Sequence, residues 1–217
     1  MEILYTGTDF VVCRKEAGEI SELTAEENSL PRMLESALGK TVYTVHRLDC
    51  TTGGLMVYAL SDRAAADLSS QMQNGIFRKI YLAVVHGSME EPGGTLTDEL
   101  FFDRRKGKSF LCDKKRNGTK TAHLRYEVLE ESAEHGGVSL CKIELFTGRT
   151  HQIRVQFGGR KHPLLGDGKY GSRSNCKECS LWSAQLAFRV PGSGEAVSFT
   201  DMPPANRAFG VFERKEI

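Results

Sequence analysis

Residues 46–60 constrain the fold more than any other stretch of this 217-residue chain. His46-Arg47-Leu48-Asp49 sets one carboxylate behind a basic pair, and Thr51-Thr52-Gly53-Gly54 follows as a bend or bulge, since paired glycines free the backbone. Leu55 to Leu60 is then a nearly continuous apolar run and reads as a buried strand. An acid placed there sits where one extended segment ends and another begins, a position at which scaffolds display reactive groups. A second segment, Thr147-Gly148-Arg149-Thr150-His151-Gln152-Ile153-Arg154, carries two arginines and a histidine with no acid among them. Together the two segments read as one acid and several cations meeting over a nucleic acid.

Strand signals predominate elsewhere. Glu2 to Tyr5 and Phe10 to Cys13 form two short strands split by a Gly7-Thr8-Asp9 turn. Asn28 and Ser29 cap a helix that holds Pro31 in its first turn, places Leu30, Met33, Leu34, Ala37 and Leu38 on one face, and stops at Gly39. Ser61 caps an alanine-rich helix over Asp62 to Gln73, ended by Gly75. Lys79 to Val85 is a strand. Thr119 to Leu129 and Val138 to Phe146 alternate in a manner suited to antiparallel pairing. Thr150 caps a short helix ending at Gly158-Gly159, with Ile153 and Phe157 buried and Arg154 near its edge. Leu181 to Phe188 and Ala196 to Phe199 are late strands. Without a repeat or a low-complexity linker, the pattern predicts one α+β domain over residues 1–217, built around a mostly antiparallel mixed sheet flanked by helices.

Hydrophobic content of 40% with 26% charged residues suits a globular protein with a real core. The amino terminus has no signal-peptide pattern, and no stretch approaches the roughly 20 apolar residues needed to cross a bilayer. Six scattered cysteines do not form a disulfide framework, which predicts a cytoplasmic location and no membrane association. Net charge is only +1, but it is segregated. Arg104, Arg105, Lys106, Lys108, Lys114, Lys115, Arg116 and Lys120 crowd one stretch, read as a basic loop, while acids gather in Glu16 to Glu27 and Glu127 to Glu134. Such a patch offers phosphates a local footprint on a near-neutral molecule.

Three blocks resemble the RluA-like family of pseudouridine synthases: His46 to Asp49 with its Thr/Gly tail, Arg78-Lys79-Ile80-Tyr81-Leu82-Ala83-Val84-Val85-His86-Gly87, and Thr147 to Arg154 continuing into His162 to Asp167 and Tyr170-Gly171. Leu181 to Pro204 resembles the family's closing strands, so the likeness runs nearly the whole chain in order. It implies the pseudouridine synthase fold and isomerisation of uridine in ribosomal or transfer RNA, with no metal or other cofactor. Asp49 falls on the family's catalytic aspartate, whether as nucleophile or as base for the 2′ proton. Burial raises a carboxyl pKa and a nearby cation lowers it, so Asp49 needs a partner, and the resemblance puts Arg154 there. Tyr81 falls on the tyrosine that stacks on uracil, and Ile153 on an apolar wall for the base. Arg47 is placed to fill the gap left by a flipped base, Arg149 and His151 to contact phosphate or loop, and His46 to be packed and hydrogen-bonded.

The family's turn reads Thr-Ser-Gly where this chain has Thr52-Gly53-Gly54, and its common proline is Glu16 here; neither change is expected to abolish activity. Catalytic-domain features begin at residue 2, so the expectation is a stand-alone catalytic domain without an S4-type RNA-binding domain, acting as a monomer. Cys176-Lys177-Glu178-Cys179 lacks a partner pair for structural zinc and reads as a surface loop. Two rival functions are a catalytically silent RNA-binding module of the same fold and a hydrolase built on His46 and Asp49 with His151 or His162. The second wants a metal-ligand spacing or a serine elbow that the sequence lacks.

Overall fold

Strands dominate the regular structure of this chain, and the computed structural model, which describes residues 1–176, 178–205 and 208–213, shows eleven of them among those residues. In chain order they are β1 (Glu2–Thr6), β2 (Phe10–Lys15), β3 (Tyr43–Thr44), β4 (Gly53–Ala59), β5 (Arg78–His86), β6 (Gly93–Asp103), β7 (Lys108–Cys112), β8 (Thr119–Ser132), β9 (Val138–Leu145), β10 (Leu181–Arg189) and β11 (Ala196–Thr200). The α-helices are α1 (Leu30–Leu38), α2 (Asp62–Gln73) and α3 (Gln152–Gly158). The architecture is α+β. Contacts divide the chain into two compact units, one of residues 1–79 and 182–202, the other of residues 80–181 and 203–217.

In the first unit the strands run β1-β2-β4-β10. β2 and β4 are antiparallel from Phe10 opposite Ala59 to Lys15 opposite Gly54, whereas β4 and β10 are parallel, with Gly53 opposite Trp182 and Gly54 opposite Ser183. All seven residues of β4 are buried, as its apolar run requires. Ser61 caps α2 by accepting from the Ala64 amide at 3.2 Å, and the helix buries Ala64 and Leu68 against Phe10, Val12, Leu55, Val57, Phe77, Leu186 and Phe188. Gly39 ends α1 in the left-handed conformation at φ 64°.

The second unit is an antiparallel array in the order β5-β9-β8-β6-β7. Its α3 packs Val155 with Leu100, Ala122 and Tyr170, and Phe157 meets Tyr126 edge-on at 5.6 Å.

Four expectations are corrected. Gly53 and Gly54 are not a bend but the first residues of β4, and the turn lies just ahead of them at Cys50 and Thr51. The reason is close approach: a Cβ on Gly54, at φ 107°, would lie 2.4 Å from the Ser183 carbonyl oxygen, and one on Gly53 would lie 2.4 Å from the Trp182 ring. The basic stretch is not a loop alone; its first half is the tip and return strand of the β6–β7 hairpin. Thr150 does not cap α3: His151 occupies that position, at φ 55°. Nor does Arg154 lie at an edge, since every residue from Gln152 to Phe157 is buried.

Candidate active site

In the first unit, Asp49 lies on an irregular segment between β3 and β4 and is partly exposed. The segment is held through its backbone. Ser21 bonds both ways to Leu48, its Oγ accepting from the Leu48 amide at 3.2 Å and donating to the Leu48 carbonyl at 2.8 Å. The Thr52 amide donates to the Asp49 carbonyl at 2.9 Å and the Gly18 amide to the Cys50 carbonyl at 2.8 Å. Buried Lys15 donates to the carbonyls of Cys50 and Thr52. Leu48 fills the core behind the acid.

His46 accepts at Nε2 from the Val57 amide at 3.1 Å, with its ring 5.8 Å from that of Phe77. Burial first, and the Lys79 charge second, push its pKa down to about 3, so the ring is neutral at physiological pH and serves as a prop for β4. Among the described residues its Nδ1, sealed from solvent, has no hydrogen-bond partner. Arg47 points outward and pairs with Glu22 at 3.3 Å, both side chains about half exposed.

The two departures from the family pattern have local reasons. At position 53 the Trp182 ring already occupies the space of a serine side chain. At position 16 the Glu16 amide donates to Glu19 at 2.8 Å, a bond that proline, with no N–H, cannot make.

In the second unit, Tyr81 sits on β5 and Ile153 and Arg154 on α3, all three buried. Side chains of β5 alternate, so Tyr81, Ala83 and Val85 share one face, and both faces are covered from Ile80 to Val85. Arg154 is gripped by Asp167, Nε to Oδ2 at 2.6 Å and Nη2 to Oδ1 at 2.9 Å, and its guanidinium lies 5.2 Å from the Tyr170 ring centre. A bidentate fork fixes direction as well as charge. Asp167 is itself held: its carbonyl accepts from the Tyr170 and Ser172 amides, both at 3.1 Å, and the Cys179 thiol approaches its carboxylate at 3.8 Å. The Tyr170 hydroxyl accepts from the Ser109 amide at 2.8 Å and shares a hydrogen bond with His151 Nδ1 at 2.9 Å. Burial pushes the Tyr170 phenol up to about 12, so it stays protonated.

Gln152 closes the loop ahead of α3. Its Oε1 accepts from the Thr147 hydroxyl at 2.8 Å and the Arg149 amide at 3.0 Å, while Arg149 Nε donates to the Thr121 carbonyl at 2.9 Å. His162 Nδ1 is engaged with the His86 carbonyl at 2.9 Å. Beside α3 the β6–β7 hairpin brings Lys106 and Lys108 over Phe110 at 5.5 and 5.8 Å, and Lys108 over Tyr170 at 4.9 Å. Lys169 Nζ reaches the Gly107 carbonyl at 3.0 Å. Among the described residues no group of three or more His, Cys, Asp or Glu is arranged to hold a metal.

The structure thus gathers Ile153, Arg154, His151 and Arg149 in one unit and Asp49 and Arg47 in the other. Sequence reading missed Asp167, Gln152 and Lys15. Asp167 had a signal: a buried arginine needs a buried carboxylate, and Gly166-Asp167 lies in a block already singled out for its resemblance.

The profile of the RNA pseudouridylate synthase family matches residues 9–158, and the chain belongs to that family. It is 31% identical to the dual-specificity RNA pseudouridine synthase RluA of Pasteurella multocida, over 94% of each chain. An uncharacterized RNA pseudouridine synthase of Mycoplasma pneumoniae is 32% identical over 92% of this chain, which spans only 65% of that protein's length. Human RNA pseudouridylate synthase domain containing 1 superposes with a TM-score of 0.79 at 25% identity, covering 94% of this chain and 83% of the other.

Proposed function

We propose that this chain isomerises uridine to pseudouridine in ribosomal or transfer RNA, with Asp49 as the catalytic acid. Family membership over residues 9–158, a stretch that includes Asp49, Tyr81, Ile153 and Arg154, carries the reading. The reaction breaks the bond from ribose C1′ to N1 of uracil, turns the base and joins C1′ to C5. The C5 proton leaves and N1 gains one, so atoms and electrons balance without redox chemistry, metal or cofactor. The tasks left to the protein are to engage the ribose, retain the base and exclude water.

In this reading Arg154 is a catalytic cation, its guanidinium aligned by Asp167. Tyr81 and Ile153 form walls for the base. The uridine is flipped out of its helix at a cost of a few kcal/mol, and Arg47 fills the gap. Arg149 and His151 contact phosphate or loop, and the lysines of the hairpin tip extend that cationic face. The protein acts as a monomer in the cytoplasm; all six cysteines are thiols among the described residues, and no described helix is long and apolar enough to cross a membrane.

The alternative is a catalytically silent RNA-binding module. It leaves the combination of Asp49, Tyr81 and Arg154 without a purpose, because phosphate binding gains nothing from a carboxylate. A pseudouridine map of the host transcriptome with the gene intact, deleted, or carrying Asp49→Ala separates the two. Expected is at least one uridine modified only with the intact gene, and Asp49→Ala turning over at least about 10³-fold more slowly. RNA binding with no site changed would favour the module.

A further inference from the structure

Lys15 ends β2 with 0% of its surface exposed. A buried ammonium stays charged only where acceptors replace its water. Here its three N–H bonds face three main-chain carbonyls: Glu16 at 3.0 Å, Cys50 at 3.1 Å and Thr52 at 2.8 Å. Cys50 and Thr52 belong to the turn that follows Asp49, and the Thr52 amide closes that turn on the Asp49 carbonyl at 2.9 Å. One cation therefore ties the end of a core strand to both sides of the turn. We propose that Lys15 is a positioning residue for uridine isomerisation, its ammonium clamping the 50–52 turn and so fixing where the Asp49 carboxylate stands. This rests on the reading of Asp49 as the catalytic acid.

The clamp depends on all three protons. A neutral amine has two N–H bonds and a lone pair, and with three carbonyl oxygens around it the lone pair must face one of them. Burial is the largest influence on this group and pushes its pKa down from 10.5 to about 8; Cys50, Glu19, Asp49 and Glu16 act the other way. Among the neighbouring charges, Arg14 binds Asp201 and Glu2, and the Met1 ammonium sits on Glu19. The turn accordingly loosens as pH rises through about 8.

Stability moves the other way. Because the folded pKa lies below the ordinary one, the unfolded chain holds more protons between about 8 and 10.5, and this group makes folding more favourable as pH rises through that window. A Lys15-dependent loss of activity above pH 8 is therefore not unfolding.

The test uses tritium release from a pool of transcribed transfer and ribosomal RNAs labelled at C5 of uridine. Rates are followed from about pH 6 to about pH 9.5 for the wild type, Lys15→Arg, Lys15→Met and Asp49→Asn. Hydrogen exchange of the 50–52 amides is measured over the same range against the β4 amides as internal reference. Expected for the wild type is an alkaline fall in kcat of about tenfold near pH 8, with KM little changed. Lys15→Arg keeps the neutral rate and loses the fall, while Lys15→Met sits at the low rate throughout. Exchange at the turn should rise above pH 8 in the wild type beyond that of β4. Wild-type kcat and pH profile in Lys15→Met would overturn the proposal, as would a turn whose exchange tracks β4 across pH 8, a result the wild type alone can give if the variants fail to fold. An active Asp49→Asn, or no tritium release by the wild type, would instead defeat the reading of Asp49, while the exchange measurement still decides whether Lys15 clamps the turn.

Discussion

Asp49 is held from its backbone and left partly exposed, whereas Arg154 is held by its side chain and buried. The segment around Asp49 owes its shape to bonds on Leu48, Cys50 and Thr52, so the backbone that carries the carboxylate is set from behind. Arg154 has the opposite arrangement: two N–H bonds go to Asp167, and Tyr170 covers the guanidinium. A group that must meet a reacting atom is better fixed from behind. A group that supplies a charge in one direction is better fixed by a fork, because the fork sets that direction.

Breaking the fork should have the larger effect on stability. Asp167→Ala leaves a buried guanidinium without its bidentate carboxylate, a loss worth about 3–5 kcal/mol, and for a chain of this size the melting temperature should fall by on the order of 10 °C. Asp167→Asn keeps the shape but turns an acceptor into a donor facing Arg154, so it should fall between wild type and alanine. Thermal melts of the three proteins check the order; an alanine variant within a degree or two of wild type would mean the fork is not what holds Arg154.

The backbone-held side is tested at Gly54. Alanine there must adopt φ 107°, and its Cβ would lie 2.4–2.9 Å from backbone atoms of Ser183. The conformation alone costs about 1–3 kcal/mol, with the clash adding to it. Gly54→Ala should therefore melt below wild type and, by shifting the start of β4, slow turnover in the melt-stable range. Unchanged rates at temperatures where the variant is folded would show that the Asp49 segment does not depend on the register of β4 with β10.

The contrast also sorts what could be read in the sequence. Periodicity found β4, α2, β8, β9 and β10, where a buried face or caps such as Ser61 leave a clear pattern. It failed at β6 and β7, where Gly93, Gly94 and a dense run of cations hide the strand pattern. Gly53 and Gly54 were misplaced for a physical reason: paired glycines signal bends, and only the pairing of β4 with β10 shows that they allow close approach instead. Resemblance singled out Asp49, Tyr81 and Arg154 as candidates because ordered blocks carry them. The residues that hold the candidates were invisible, since Lys15 and Ser21 act on carbonyls and amides that have no sequence signature.

The smallest effects should come from the two outer arginines, which extend the contrast to RNA. Arg47 is tied to Glu22 in an exposed pair worth about 0–1 kcal/mol, so an RNA phosphate or base can displace that partner at little cost. Arg149 is tied to the Thr121 carbonyl and so keeps a fixed direction toward whatever approaches it. If Arg149 is a phosphate contact, Arg149→Ala should weaken folded and unstructured RNAs alike and reduce the slope of log affinity against log salt by about 1. If Arg47 fills the gap behind a flipped base, Arg47→Ala should instead slow turnover on a folded hairpin, where a few kcal/mol of stacking and pairing must be replaced, and leave an unstructured RNA nearly unaffected. Turnover of both variants on a hairpin and on an unpaired oligonucleotide of the same target sequence measures the difference. Equal losses for Arg47→Ala on the two RNAs would reduce it to a second phosphate contact and end the distinction between the arginines.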